Sequence, residues 1–285
     1  NLNKQCLLLA MIGGGKAGNI ISPNPNTIAA SEAFAVDLTS LMFKNFVPAL
    51  FALAMAILLA SFLSKKKNGL AVAQSDIDTS DAALPGFLPA IVGPLVVFIL
   101  LALRPVAGIA IDPLIALPVG GLVCMLVTGN IKSVVSITEF GLSKVVGVSI
   151  LLIGTGTIAG IIKASALQYD VISLLEALNM PAFVLAPLAG ILMAGATAST
   201  TAGATIAAQT FAPTLIEQGV PALAAAAMIH AGATVVDSLP HGSFFHATGG
   251  SVNMSIGDRM KLIPFEACVG LTATIMSVIM FLILG

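Results

Sequence analysis

The chain has 285 residues, 58% of them hydrophobic and 9% charged, with a formal net charge of −1 and a mean hydropathy of +1.05. Soluble domains carry roughly 25% charged residues, so this composition excludes a water-soluble surface, and the near-zero charge gives no basic field for nucleic acid. Cys6, Cys124 and Cys268 stand in apolar surroundings without CxxC or Cys/His spacing and read as inert small hydrophobes, and no metal or cofactor motif accompanies them.

From the first residues, Gly13-Gly14-Gly15-Lys16 lacks the front half of a P-loop and follows a helix-like run, which argues against a nucleotide site. The stretch 19–26, NIISPNPN, cannot continue as a helix, because Pro23 and Pro25 each remove a donor and push the preceding residue towards extended geometry. Five segments approach the ~20 apolar residues that cross a bilayer: 46–63, 87–103, 113–128, 145–163 and 264–284. The alanine-rich stretch 219–236 is a weaker sixth. Lys65-Lys66-Lys67 opens a polar linker over 65–84, placed in the cytoplasm by the positive-inside rule. It separates 1–64, the end of a first repeat with a broken helix, from 85–285, which holds the remaining spans and a second repeat with its own broken helix. Lys132 and Lys144 flank a short loop on the same side, and 166–179 reads as an amphipathic interfacial segment.

The repeat rests on two matches. Thr27-Ile28-Ala29-Ala30 recurs as Thr205-Ile206-Ala207-Ala208, and Val47-Pro48-Ala49-Leu50 as Val220-Pro221-Ala222-Leu223, in the same order. Each TIAA follows a run rich in Gly and small polar residues. Only 26 residues precede the first TIAA, so the first copy is expected to lack its front, about 60–100 residues or two to four crossings.

Unpaired backbone groups are tolerated at membrane depth only where they are buried in protein or line a cavity. Interrupted segments at matching places in two repeats therefore point to a transporter's binding site. The first interruption contributes Asn24, Asn26 and Thr27, and the second Thr197, Ser199, Thr200, Thr201 and Thr205, as expected substrate-binding residues. Half-helix N-termini opening near Thr27 and Thr205 suit an anionic group. Asp237, His241 and His230 are the expected proton-coupling residues, being ionisable groups in an otherwise almost uncharged zone. His246 lies in the same zone, and Glu217 reads as interfacial. No catalytic nucleophile, metal ligand set or cofactor site is expected.

These motifs resemble those of the gluconate permease (GntP) family of proton-coupled organic-acid symporters, along essentially the whole chain. The resemblance is carried by GGGKAGNIISPNPNTIAA (13–30), AGATASTTAGATIAAQTFAP (194–213), DSLPHG (237–242) and NMSIGD (253–258). It departs in the absent front of the first repeat and in Leu239-Pro240-His241-Gly242, where gluconate-type members carry an Asn/Asp-containing turn. The family belongs to the ion transporter superfamily. The resemblance implies inverted-repeat dimers that work by an elevator-type movement on sugar acids, hydroxy acids or D-serine.

The expected protein is an all-α polytopic membrane protein, an inverted-repeat secondary transporter with two broken or re-entrant helices, multi-pass in the inner (plasma) membrane. Its expected partners are the lipid bilayer, a small carboxylate and a proton, with sodium as the alternative coupling ion and a channel or intramembrane enzyme as readings of another class. If 182–216 is one full crossing, 46–63 opposes 219–236, and Ser251, Arg259 and Lys261 fall outside. If it is a re-entrant hairpin, those partners run the same way. The crossing is the expectation.

Overall fold

A computed structural model describes residues 3–65, 86–109, 111–166, 169–170, 173–174, 177 and 180–285. All but the first residue of the 65–84 linker, and much of the 166–179 stretch, lie outside the described residues. Two compact units are present: Asn1–Ile77 with Leu152–Gly285, and Asp78–Leu151.

Among the described residues the architecture is helical throughout. In the larger unit, α1 covers Lys4–Asn19, α2 Pro25–Ala33, α3 Leu38–Lys44 and α4 Phe46–Ser64. Helices α5 (Phe87–Ala107) and α6 (Pro113–Val127) belong to the smaller unit, and α7 (Val134–Ala164) begins in it. The larger unit resumes with α8 (Leu185–Thr197), α9 (Thr200–Glu217), α10 (Ala222–Gly232), α11 (Ser243–Ser251), α12 (Ile256–Met260) and α13 (Ile263–Leu284). In the smaller unit, Gly93 lies against Cys124 and Gly120 against Val97, so α5 and α6 form an antiparallel pair.

Phe46–Ser64 and the stretch Ile256–Leu284 are long and apolar enough to cross a membrane. Helix α4 shows how its faces are divided. Ala49, Ala52, Ala56 and Ala60 are buried, while Leu50, Phe51, Ile57, Leu58 and Phe62 are exposed. Small residues inward and large apolar ones outward is the pattern of helices packing in lipid, where backbone proximity, not hydrophobic burial, drives association. Gly13 of α1 takes the place a side chain would occupy against Ala56, and Leu9 and Ala17 share clusters with Leu63 and Ala52 respectively. Helices α1 and α4 therefore run antiparallel.

Four expectations are corrected. Helix α7 starts at Val134, well before 145, so Lys144 stands within a helix and does not flank a loop. The 219–236 span is helical only over Ala222–Gly232; beyond it the chain is irregular to Gly242 and α11 follows, making a third discontinuity. Thr200–Thr205, read from their poor propensity as part of a break, form the opening turns of α9; tertiary packing overrides a weak local preference.

The fourth correction is the largest. Segment 182–217 is no single crossing but a hairpin, with α9 folded back along α8. Gly203 sits directly on the Ala194 backbone, and further down the pair Leu185, Ala186 and Ala189 share a cluster with Ala207, Ala208, Phe211 and Leu215. The reversal occurs at Ala198, in the left-handed region at φ 47°, a conformation uncommon outside glycine. The opposed pairing of 46–63 with 219–236 was counted through a crossing here, and no longer follows from this segment.

Candidate functional site

Helix α10 runs beside α8 in the same sense, with Gly190 against Ile229–Ala233 and Gly195 against Val236. That register carries the irregular stretch 233–242 to the hairpin tip. Gly242 approaches Ala198 so closely that a Cβ there would meet the Ala198 carbonyl oxygen at 2.5 Å. From the opposite side, α13 supports the stretch through Gly270, which lies on the Thr234 and Val235 backbone.

A buried ion pair occupies this junction. Lys16, in the last turn of α1 and 5% exposed, donates to an Asp237 carboxylate oxygen and to the Thr234 carbonyl. Asp237, also 5% exposed, accepts further from Thr200 Oγ1 at 2.6 Å and from Ser238 Oγ at 3.0 Å. One carboxylate thus ties together α1, the hairpin tip and the α10–α11 break.

The α1–α2 break lies one helical turn beyond Lys16. Asn24 caps α2, its side-chain oxygen accepting from Asn26 N–H (2.9 Å) and Thr27 N–H (3.2 Å). Its amide donates to Asn19 Oδ1 at 2.8 Å and to Ser22 Oγ at 2.9 Å, and Asn26 Nδ2 reaches the same Asn19 oxygen at 2.7 Å. Thr27 Oγ1 donates to the Ser22 carbonyl at 2.8 Å. This closed web satisfies the chain where helical bonding stops. On α9, Ser199 is the cap, accepting from Ala202 N–H at 3.2 Å. Asn24 precedes its TIAA by three residues and Ser199 precedes its own by six, so the second helix opens one turn earlier than the repeat alone suggests.

Helices α2 and α9 pack against each other, Ala30 sharing a cluster with Ala207 and Ala208. Beside their contact lies a cleft of about 530 Å³ lined by Pro25, Ile28, Ala29, Glu32, Ala33, Thr205 and Gln209. That size is usual for a small-molecule site. Thr205 Oγ1 and Asn26 Oδ1 are buried and have no partner among the described residues.

The sequence-selected residues thus fall in three places. Thr200, Ser199 and Asp237 meet at the hairpin tip and the α10–α11 break, with Thr201 half-buried on the first turn of α9. Asn24, Asn26 and Thr27 form the α1–α2 web, and Thr205 walls the cleft. Thr197 is turned back on its own helix, donating to the Met193 carbonyl at 2.8 Å. His230 is fully buried in α10, with neither ring nitrogen partnered among the described residues, whereas His241 is exposed. Sequence reasoning missed Lys16. Its signal was a lone charge on an apolar stretch, obscured by reading GGGK only as a fragment of a phosphate loop.

A second buried pair lies apart. Arg259, treated in the sequence as a loop charge, is 1% exposed and paired through both terminal nitrogens with Glu266, itself 1% exposed. Its Nε donates to Thr248 Oγ1 at 3.2 Å, and its guanidinium lies 4.9 Å from the Phe245 ring centre.

An apolar helical chain with discontinuous helices and a re-entrant hairpin closing on a buried ion pair is an all-α membrane protein. Irregular backbone survives there because protein surrounds it. The chain is 53% identical over 282 residues to a protein of Haemophilus influenzae named an uncharacterized transporter, a match covering 99% of this chain and 67% of the relative. It belongs to the family of that transporter. No protein-family model matches the chain, and no solved structure matches it.

Proposed function

We propose that the chain is a secondary active transporter that carries a small organic acid, a sugar acid or hydroxy carboxylate, together with a proton by alternating access across the inner membrane, in the manner of the gluconate permease family. The observation that carries this reading is the Lys16–Asp237 pair, a titratable carboxylate and a cation held at the meeting point of a broken helix, a hairpin tip and a second break. Ionisable groups inside membrane segments are costly and belong to solute and proton paths. Such meeting points of discontinuous helices are where transporter sites form. The Thr200–Thr205 turns and the α2–α9 cleft offer hydroxyls and volume for a polyhydroxy acid.

Sodium coupling is the second reading, favoured by the orphaned Asn26 Oδ1. A buried acceptor without a donor suits a cation ligand. Uptake into proteoliposomes of labelled lactate, glycerate and gluconate, under an imposed proton or sodium gradient, tests both. Accumulation driven by the proton gradient alone is expected. Accumulation driven only by sodium would replace the first reading with the second, and gradient-independent flux would leave a channel.

A further inference from the structure

We propose that Lys16 is the group that receives the carboxylate of the transported acid, and that it becomes available only when Asp237 takes up a proton. A single ammonium changing partners would then couple the two species. The inference rests on the reading above of a proton-driven carboxylate carrier, and adds the coupling device and the charge class of the substrate.

The argument is one of charge balance in a confined place. Lys16 has three donors, of which the protein takes up those directed at Asp237 and the Thr234 carbonyl. Among the described residues packed around it no other carboxylate is placed to answer it: α4 carries no charge, and Glu32 of α2 is exposed at the cleft. On α1 itself the remaining charge, Lys4, lies at the far end of the helix. Helix α8 carries no charge, and on α9 Glu217 is at the last residue. On α10 the only titratable group is His230, an imidazole that can offer no negative charge. His241 in the break and His246 on α11 are exposed. On α13, Glu266 is held by Arg259. Asp237 in turn has no cation but Lys16 among these groups.

Protonating Asp237 converts its carboxylate to a neutral acid, which keeps both contacts by donating its one O–H to Thr200 or Ser238 while still accepting from the other. Lys16 is then a buried ammonium with no counter-charge, an arrangement strongly disfavoured away from water. A solute carboxylate restores the balance. One proton has been added to Asp237 and one monocarboxylate to Lys16, so the loaded site has the same net charge as the empty one. The empty site is neutral because the pair is closed, and the site carrying both is neutral because the solute has replaced Asp237. States carrying only one of the two retain an unbalanced charge. These are the states a coupled carrier must keep from crossing. The N-terminus of α9 beside Thr200 supplies free amides, and Thr201 a hydroxyl, for the rest of the solute. A monocarboxylate is the substrate class that fits, with electroneutral one-to-one transport. A dicarboxylate would leave an extra negative charge.

The test uses the whole chain in proteoliposomes, with labelled lactate, glycerate and gluconate as probes. It reads equilibrium exchange and gradient-driven accumulation separately. For the unaltered protein, apparent affinity in exchange should fall about tenfold per pH unit on the alkaline side, as one linked proton requires. Asp237→Asn, permanently neutral, should flatten that dependence to within about twofold and bring accumulation down to simple equilibration. Lys16→Gln should abolish exchange and accumulation. The double substitution Lys16→Gln, Asp237→Asn removes both charges and should restore any membrane level lost in the single variants, yet remain without exchange. That variant separates folding from function. Exchange surviving in the double variant, or an undiminished pH dependence in Asp237→Asn, would overturn the proposal while leaving proton-driven carboxylate transport intact. Failure of the unaltered protein to accumulate any of the probes under a proton gradient would instead overturn the underlying reading, and the proposal with it.

Discussion

Glu266→Gln removes one charge from the buried Arg259 pair while keeping its shape. Breaking a buried ion pair by neutralising one partner costs about 3–5 kcal/mol, because the remaining charge is left uncompensated. Two features reduce that figure here. The Gln oxygen still accepts one of the two guanidinium bonds, and the Phe245 face at 4.9 Å continues to attract the cation, an effect of roughly 0.5–2 kcal/mol. The Thr248 contact to Nε is untouched. The expected loss is therefore about 2–4 kcal/mol, or roughly one and a half to three decades in the unfolding equilibrium. It is read by reversible denaturation in detergent micelles, or by a lowered midpoint in a thermal aggregation assay. Replacing both partners, Arg259→Met with Glu266→Leu, should recover most of the loss, since paired apolar substitutes of similar volume are often neutral or better. The protein that remains folded in Glu266→Gln should still accumulate solute under a proton gradient, because this pair braces α11, α12 and α13 and does not touch the Lys16–Asp237 junction. A Glu266→Gln protein of unchanged stability that has lost proton-driven uptake would refute the reasoning and move the coupling group to Glu266.

Gly203→Val places a side chain on the Ala194 backbone and should splay the α8–α9 hairpin, lowering stability by about 1–3 kcal/mol or more and removing uptake; Gly14→Ala, with open space at its Cβ, is the control. Thr200→Val deletes the 2.6 Å bond to Asp237, an interaction with a charged group worth about 1.5–3 kcal/mol, and should depress uptake at least tenfold at an unchanged membrane level. Thr201→Val keeps its volume and loses one hydroxyl, and is expected to abolish uptake of a polyhydroxy acid while protein abundance stays level. With 182–217 as a hairpin and Lys65–Lys67 cytoplasmic, Ser251 and Lys261 fall in the cytoplasm. Ser251→Cys, in a chain lacking Cys6, Cys124 and Cys268, should resist an impermeant maleimide added outside and react after permeabilisation, and labelling from outside would reject the hairpin topology.

The α1–α2 interruption was legible in the sequence because proline acts locally. Pro23 falls between the two helices and Pro25 stands at the first position of α2, where its missing N–H leaves no bond unmade, and Asn24 is a strong cap in any context. Helices α4, α6 and α13 were legible for a similar reason, since a bilayer demands about 20 apolar residues in a row and composition alone reveals them. The same composition hid the shortness of α10, because a helix buried in other helices and one facing lipid draw on the same residues. The true start of α7 was hidden because its first turns carry Ser136, Thr138, Glu139 and Lys144 and do not read as an apolar span.

The sequence by itself determined that the chain is a helical membrane protein, that its polar residues concentrate at interruptions, and that Asn24, Ser199, Thr200 and Asp237 stand in or beside them. It could not decide whether Ala194–Thr205 is crossed or folded back. Small residues such as Gly203 allow close backbone approach in either arrangement, and the hairpin is selected by tertiary contacts, Gly203 on Ala194 and Leu185 and Ala189 beside Phe211 and Leu215. Nor could it join Lys16 to Asp237, 221 positions away. A charge in an apolar run announces that a partner must exist, since leaving it unpaired is so costly. Which partner it meets depends on the α8–α10 register that brings 233–242 to the hairpin tip, and that register is set by glycine contacts between helices distant in the chain. Tertiary structure therefore supplied the pairing, and with it the chemistry of the site.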